Sequence, residues 1–307
     1  MSSSKYFQID AFTKTKFSGN PAGVVFCGEK WPEKIAEIAS ETNQTETAFI
    51  KLKNKIGKNY QDDAEFDLKW FTPTREVPLC GHATLAAAGA LFLAGNLNQT
   101  ITFDTLSGPL IANKTEGGFC LDFPIDEIND VSFNPDDFLV DDLSDVLTEV
   151  LTVVLSEHLF SKIKRVKLGQ NTKKLLVEIN NLTRSELESI NIPDGDTLKS
   201  FHDGKLFKGI CITGRTDESD EFLNQYDVIS RYFAPWNGIP EDHVTGSLHT
   251  ALLPFYQQEY EDLRQKKIIE FRQHSKRGGD LSVSCNEKKT RVYISGSFVK
   301  VLSGVLE

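Results

Sequence analysis

Over most of its length the chain sets short apolar stretches of period two between turn residues, which is the pattern of strands. Tyr6–Phe12 is rich in aromatic and branched residues and runs toward the turn signal Gly19-Asn20-Pro21. Ala22–Phe26, Thr47–Leu52 and Phe66–Phe71 read as further strands. Pro32–Asn43 places Ile35, Ile38 and Ala39 at helical spacing. The stretch after Gly81 is different in kind: Ala83–Ala94 is small or apolar everywhere except Thr84. A helix that is apolar all round has to be enclosed on every side. At ~1.5 Å per residue it is roughly 18 Å long, about the height of a small barrel. Strands at Ile101–Asp104 and Leu110–Asn113, joined by a turn at Leu106–Pro109, follow it.

The second half repeats this order. Phe71-Thr72-Pro73 recurs as Phe233-Ala234-Pro235, 162 residues later. Gly81-His82 opens the first enclosed helix and Gly246-Ser247 the second, and Ile268–Phe271, Gly278-Gly279 and Leu281–Ser284 mirror the hairpin at 101–113. A repeat at half the chain length predicts duplication and a pseudo-two-fold, since solenoid periods are only ~20–50 residues. We therefore expect an α+β fold of two pseudo-symmetric domains, each a mixed β-sheet or barrel wrapped around a central helix. The boundaries are 1–125 and 126–307, with the last strand, near Arg291–Gly296, free to return to the first domain. Between the halves, Asp126–Ser161 holds ten Asp or Glu and no Lys or Arg. Its first part, to Asp142, reads as a connection. Its second part carries Val146, Leu147, Val150, Leu151, Val154 and Leu155 at helical spacing, so it reads as a helix with one solvated acidic face.

Composition narrows the function classes. With 34 Lys+Arg against 44 Asp+Glu the net charge is -10, which argues against nucleic-acid and anionic-membrane partners. The five cysteines are widely spaced and include no C-x-x-C, so neither a disulfide framework nor a zinc ribbon is expected. No apolar leader or run of ~18 residues is present, and the expectation is a cytoplasmic protein with free thiols and no membrane partner. The four N-x-[ST] triplets then read as chance matches. No dinucleotide or nucleoside triphosphate motif occurs, and no cofactor or metal is expected. The two glycine-opened helices offer free N–H groups to a small acid.

Three motifs resemble the PhzF family, the phenazine-biosynthesis isomerase-like group with the diaminopimelate epimerase-like fold. They are Asn43-Gln44-Thr45-Glu46-Thr47-Ala48-Phe49, the run from Trp70 through Glu76-Val77-Pro78-Leu79-Cys80-Gly81-His82, and Arg231 through Glu241-Asp242-His243-Val244-Thr245-Gly246-Ser247. The similarity runs from Ile9 to about Ser297 and is closest to the animal members. It implies a cofactor-independent isomerase acting on a small carboxylate-bearing metabolite in a cleft between the domains, and a homodimer. Glu46 matches the glutamate that moves a proton between substrate carbons, a task that needs a carboxylate whose pKa burial has raised. His82 and Asp242 match its polar partners, and Gly81, Gly246 and Ser247 the donors to the substrate carboxylate.

Outside these motifs each residue has a plainer reading. Glu46 would be a surface or capping glutamate, His82 a structural histidine, and Asp242 a cap for the helix near Thr245. His243, His249 and Arg231 read as structural or rim residues. Epimerase-like racemases of this fold use two cysteines. Cys80 occupies the first position, and Val244 stands at the second, so Cys80 reads as a small buried residue or as a thiol in the cleft wall. His243 replaces the family's usual proline, Leu248 its alanine, and Pro254 is expected to end or kink the second helix early. The alternatives to the isomerase are a racemase working without paired thiols and a non-catalytic binding protein that uses its surface.

Overall fold

The structure is a computed structural model that describes residues 4–53, 59–131, 142–216 and 219–307, with backbone alone at 142–144. It divides into two compact units, Met1–Phe123 with Gly279–Glu307, and Pro124–Gly278. The first unit opens with β1 (Ser4–Ala11), β2 (Asn20–Phe26), α1 (Ile35–Thr42), β3 (Glu46–Leu52), β4 (Glu65–Phe71) and β5 (Glu76–Val77). Then come α2 (Gly81–Leu93), β6 (Thr100–Thr105), β7 (Gly108–Lys114) and β8 (Phe119–Pro124). The second unit contains β9 (Ile128–Asp130), α3 (Asp142–Val154), α4 (Glu157–Phe160), β10 (Ile163–Gly169) and β11 (Lys174–Ile179). It continues with α5 (Arg184–Ser189), α6 (Gly195–Phe201), β12 (Gly209–Arg215), β13 (Val228–Ala234) and β14 (Ile239–Asp242), then α7 (His249–Glu259), α8 (Glu261–Gln265) and β15 (Ile269–Gln273). Three strands, β16 (Gly279–Cys285), β17 (Arg291–Gly296) and β18 (Phe298–Leu306), belong to the first unit.

The duplication shows in the strand pairing. In the first unit β1 pairs antiparallel with β2, β2 parallel with β3, β3 antiparallel with β4, and β4 parallel with β6 and antiparallel with β5. In the second unit β10 through β15 repeat that scheme: β10 antiparallel to β11, β11 parallel to β12, β12 antiparallel to β13, β13 parallel to β15 and antiparallel to β14. Each enclosed helix lies between the short fifth strand of its set and the parallel sixth. The repeat is therefore topological as well as sequential, and the fold is α+β as expected. The mirrored hairpin breaks down at its last step. β6 and β7 form a hairpin, whereas β15 and β16 fall into different units. The sequence left one strand free to return, and three do so, because β18 pairs along all of β1 and β17 pairs with β16 and β8.

Helix α2 is buried from Gly81 through Leu91, as its uniformly small and apolar sequence requires. It packs on β1, β2, β3, β7 and β18. Gly89 lets β18 approach: a Cβ there would meet the Phe298 ring at 2.7 Å. In the second unit Leu147, Val150, Leu151 and Val154 of α3 enter the core at the expected helical spacing. The acidic connection is mostly outside the described residues, but its first member is no surface charge. Asp126 is buried, and its carboxylate accepts from the Asn171 N–H at 2.9 Å, the Thr172 N–H at 3.2 Å and the Thr172 hydroxyl.

Pro254 does not end the second helix, which continues to Glu259. Proline has no N–H, so the carbonyl four residues earlier loses its partner. That carbonyl is Thr250 O, and the Asp126 N–H donates to it at 3.1 Å. The connecting segment satisfies the group that the proline leaves free.

Candidate active site

The Asn43–Glu46 motif is a helix stop followed by a strand start. Asn43 takes the left-handed conformation (φ 46°) that ends α1, a conformation asparagine tolerates better than most residues. The Thr45 hydroxyl then donates to Pro21 O at 3.0 Å, which fixes the chain where Glu46 pairs in parallel with Ala22. Glu46 is thus the first residue of a strand held on both sides, and it is only 8% exposed. The second motif brings β5 against β4 and turns at Cys80, in extended conformation, into the first residue of α2. His82, the second residue of that helix, is buried, as are Cys80 and Gly81.

These residues meet in the first unit. Glu46 Oε2 lies 3.1 Å from His82 Nε2, and Cys80 Sγ lies 3.4 Å from His82 Nδ1. The carboxylate–imidazole approach is close but too far off line for a hydrogen bond, so both facing atoms are buried without one. Leaving such a group unmade costs ~1–3 kcal/mol, which is tolerated where a ligand completes it. Burial disfavours an imidazolium at His82, but Cys80 and the Glu46 carboxylate outweigh it and hold the ring well above its ordinary value. Burial pushes the Cys80 thiol up, while the neighbouring His82 pulls it the other way.

The three donor atoms lie within 4.8 Å of one another and are types that borderline cations accept. The thiol, however, faces one ring nitrogen and the carboxylate the other.

The other predicted residues sit together in the second unit. Asp242 ends β14, and its carboxylate accepts from the Thr245 hydroxyl at 2.6 Å. Gln273, fully buried on β15, clamps both: Oε1 accepts from the Thr245 N–H at 2.8 Å and Nε2 donates to Asp242 O at 2.7 Å. Gly246 and Ser247 form a single 3-10 turn before α7. Ser247 Oγ accepts from Lys174 Nζ at 3.0 Å. Lys174, at the start of β11, is 6% exposed, and burial pushes it down to about 8 while Asp126 and Asp242 pull the other way.

The residues read as structural behave so. Arg231 makes a two-pronged pair with Glu241 at 2.7 and 3.0 Å and donates to Leu187 O and Ile190 O. His249 Nδ1 donates to Thr245 O at 2.9 Å, and burial drops its pKa to about 4, so it is neutral. Val244 and Leu248 are fully buried core residues, and the His243 carbonyl accepts from the Ser275 hydroxyl. Sequence reading missed Lys174 and Gln273. Both lie in strands with no motif, and their partners are 73 and 28 residues away. Two surface cavities, of about 610 Å³ beside Lys164 and Tyr260 and about 570 Å³ beside Trp31 and Leu306, include none of the predicted site residues.

A duplicated sheet set around two enclosed helices is the diaminopimelate epimerase-like fold, and here a buried carboxylate–imidazole pair lies at the start of one of the helices. The chain matches the family described as phenazine biosynthesis-like protein over residues 9–304, and it belongs to that family. It is 40% identical to the mouse phenazine biosynthesis-like domain-containing protein 1 over 304 residues, 98% of each chain. It is 34% identical to a protein of Halalkalibacterium halodurans named as an uncharacterized isomerase, covering 100% of this chain and 99% of that one. Among solved structures, that of a PhzF-family phenazine biosynthesis protein from Enterococcus faecalis superposes with a TM-score of 0.77 at 31% identity over 99% of both chains. No helix among the described residues is long and apolar enough to cross a membrane.

Proposed function

We propose that the protein is a cofactor-independent isomerase that moves a proton between two carbons of a small carboxylate-bearing metabolite. The observation that carries this reading is the buried pair of Glu46 Oε2 and His82 Nε2, 3.1 Å apart and both without a hydrogen bond. The isomerase named among the bacterial relatives supports the reaction class.

Glu46 takes a proton from one substrate carbon, and the C–H electron pair moves into the substrate's unsaturated system. The protonated Glu46 then returns the proton to a second carbon and is again a carboxylate. The substrate's mass and oxidation state do not change. His82 stands beside the carboxylate with an unused Nε2, and we assign it as a donor to the substrate, its own charge favoured by Cys80 and Glu46. A base fixed at the start of a strand and a donor fixed at the start of a helix need no rearrangement for the transfer, which favours catalysis by orientation. Asp242 is assigned to a polar contact with the substrate, and Gly81, Gly246 and Ser247 to its carboxylate. A racemase with two thiols is disfavoured, because the place of the second thiol holds buried Val244.

The test is a comparison of a cytosolic small-acid extract after incubation with wild type and with Glu46→Gln. The expected outcome is one acid converted to an isomer of the same mass and different retention, by wild type alone. Conversion by both proteins would contradict the role of Glu46. Conversion by neither, across a broad extract, would favour a binding protein on the same fold.

A further inference from the structure

A buried lysine normally has a counter-ion, because an ammonium taken out of water without one is strongly disfavoured. Lys174 is buried to 6% exposure, and the side-chain partner of its ammonium is the neutral Ser247 hydroxyl. None of the other groups that face it among the described residues makes an ion pair with it. Asp126, before β9, is occupied by Asn171 and Thr172. Asp242, on β14, is held by Thr245. Both act on Lys174 from a distance, without an ion pair among the described residues. Cys211 on β12 and Tyr232 on β13 are both driven toward their neutral forms by burial, and the Tyr232 ring lies 5.9 Å from Nζ. His249 on α7 is neutral. Among the described residues the ammonium therefore has donors to spare and no carboxylate in contact with it.

We propose that Lys174, together with the Ser247 hydroxyl, is a carboxylate-binding residue whose missing counter-ion is the anionic group of a small organic acid. This deepens the isomerase reading, since Ser247 is already assigned to the substrate carboxylate, and it rests on that reading only for the identity of the acid. It adds a charged ligand where sequence motifs offered backbone and hydroxyl donors. It also makes binding pH-linked. An anion on the ammonium favours its protonated form, so the protein takes up a proton as the acid binds, wherever the free lysine is partly neutral.

The test is calorimetric titration of the full chain with benzoate as the carboxylate, benzamide as its neutral counterpart and inorganic phosphate as a different anion. Titrations run from pH 7 to pH 10, in buffers of different ionisation heat, for wild type, Lys174→Met and Lys174→Arg. For wild type we expect benzoate to bind, with proton uptake appearing near pH 8 and affinity falling about tenfold per unit above it. Benzamide should not bind measurably. Lys174→Met should bind benzoate at least ~10-fold more weakly and without proton uptake. Lys174→Arg should bind it with no pH dependence across this range, because a guanidinium does not deprotonate there.

Equal benzoate affinity in wild type and Lys174→Met, or wild-type binding without proton uptake, would overturn the assignment. Tighter binding of phosphate than of benzoate would overturn the carboxylate class. If neither variant folds, the wild-type proton uptake alone decides. Turnover is not required. A protein that binds benzoate through Lys174 and catalyses no isomerisation would contradict the isomerase and leave this assignment standing, and the converse result would do the opposite.

Discussion

His82 shows how much of this protein's chemistry rests on single side chains in unlike surroundings. Its two ring nitrogens face a thiol and a carboxylate, and it is held charged. His249, with a carbonyl on Nδ1 and the Phe271 ring edge-on at 5.0 Å, is held neutral. Histidine NMR across pH should therefore show one buried imidazole titrating near 4 and another still protonated above its ordinary value. Two rings titrating together near 6.5 would contradict both environments. The linkage has a definite sign. His249 is depressed on folding, so its neutral form contributes fully above ~6.5, and about 3 kcal/mol of stability is lost as pH falls from there toward 4. His82 is raised, so its contribution is present at acid pH and fades as pH rises through its elevated value.

Two replacements test the remaining residues. Cys80 is buried and takes no step in the proposed transfer, so Cys80→Ser should leave most of the activity, whereas Glu46→Gln should remove ~10²–10⁴ of the rate. Lys174→Met should make the ligand-free protein more stable by ~1–3 kcal/mol near pH 7, measured by thermal unfolding, because it removes an unpaired buried charge. A lower melting temperature would mean that the lysine is already well paired.

Among the elements, α2 was the most legible in sequence. Eleven small or apolar positions among the twelve of Ala83–Ala94 leave no solvated face, and the helix is buried through Leu91 as that composition demands. The cost of that burial is tight packing, so Gly89→Ala should destabilise the first unit by ~1–3 kcal/mol through the Phe298 ring, read as a shift in the denaturant midpoint. A neutral result would show that the ring can move aside. The second helix was read less well. A proline in its middle argued for a break, and only the distant Asp126 N–H explains why the helix runs on. Asp126 itself reads in sequence as part of a connection, since nothing local to residues 126–131 shows that its carboxylate holds the turn at 169–172. Asp126→Ala should cost ~2–4 kcal/mol, because a buried carboxylate's bonds to two N–H groups and a hydroxyl are lost together.

At the scale of the whole molecule, the duplication could be read from the Phe-x-Pro repeat and the paired glycine-opened helices, and the strand pairings repeat accordingly. The destination of the last three strands could not, because strand partners are set by edges that only the folded sheet presents. β18 finds its partner in β1, at the opposite end of the chain. A chain cut after Gly278 should therefore lose the first unit's cooperative unfolding. The candidate site divides in the same way. Glu46, His82, Asp242, Gly246 and Ser247 were legible because they lie in long contiguous motifs. Lys174 and Gln273 were not, because they act through pairings between strands remote in sequence.

The central claim is that Glu46 carries a proton between substrate carbons. It is tested most directly in D₂O, with purified protein, a cytosolic small-acid extract and mass spectrometry, comparing wild type with Glu46→Gln. The account predicts one acid that changes retention with wild type, carrying a carbon-bound deuterium wherever the Glu46 carboxyl exchanges with D₂O before it returns the proton, and that does neither with Glu46→Gln. Equal labelling by both proteins would contradict it.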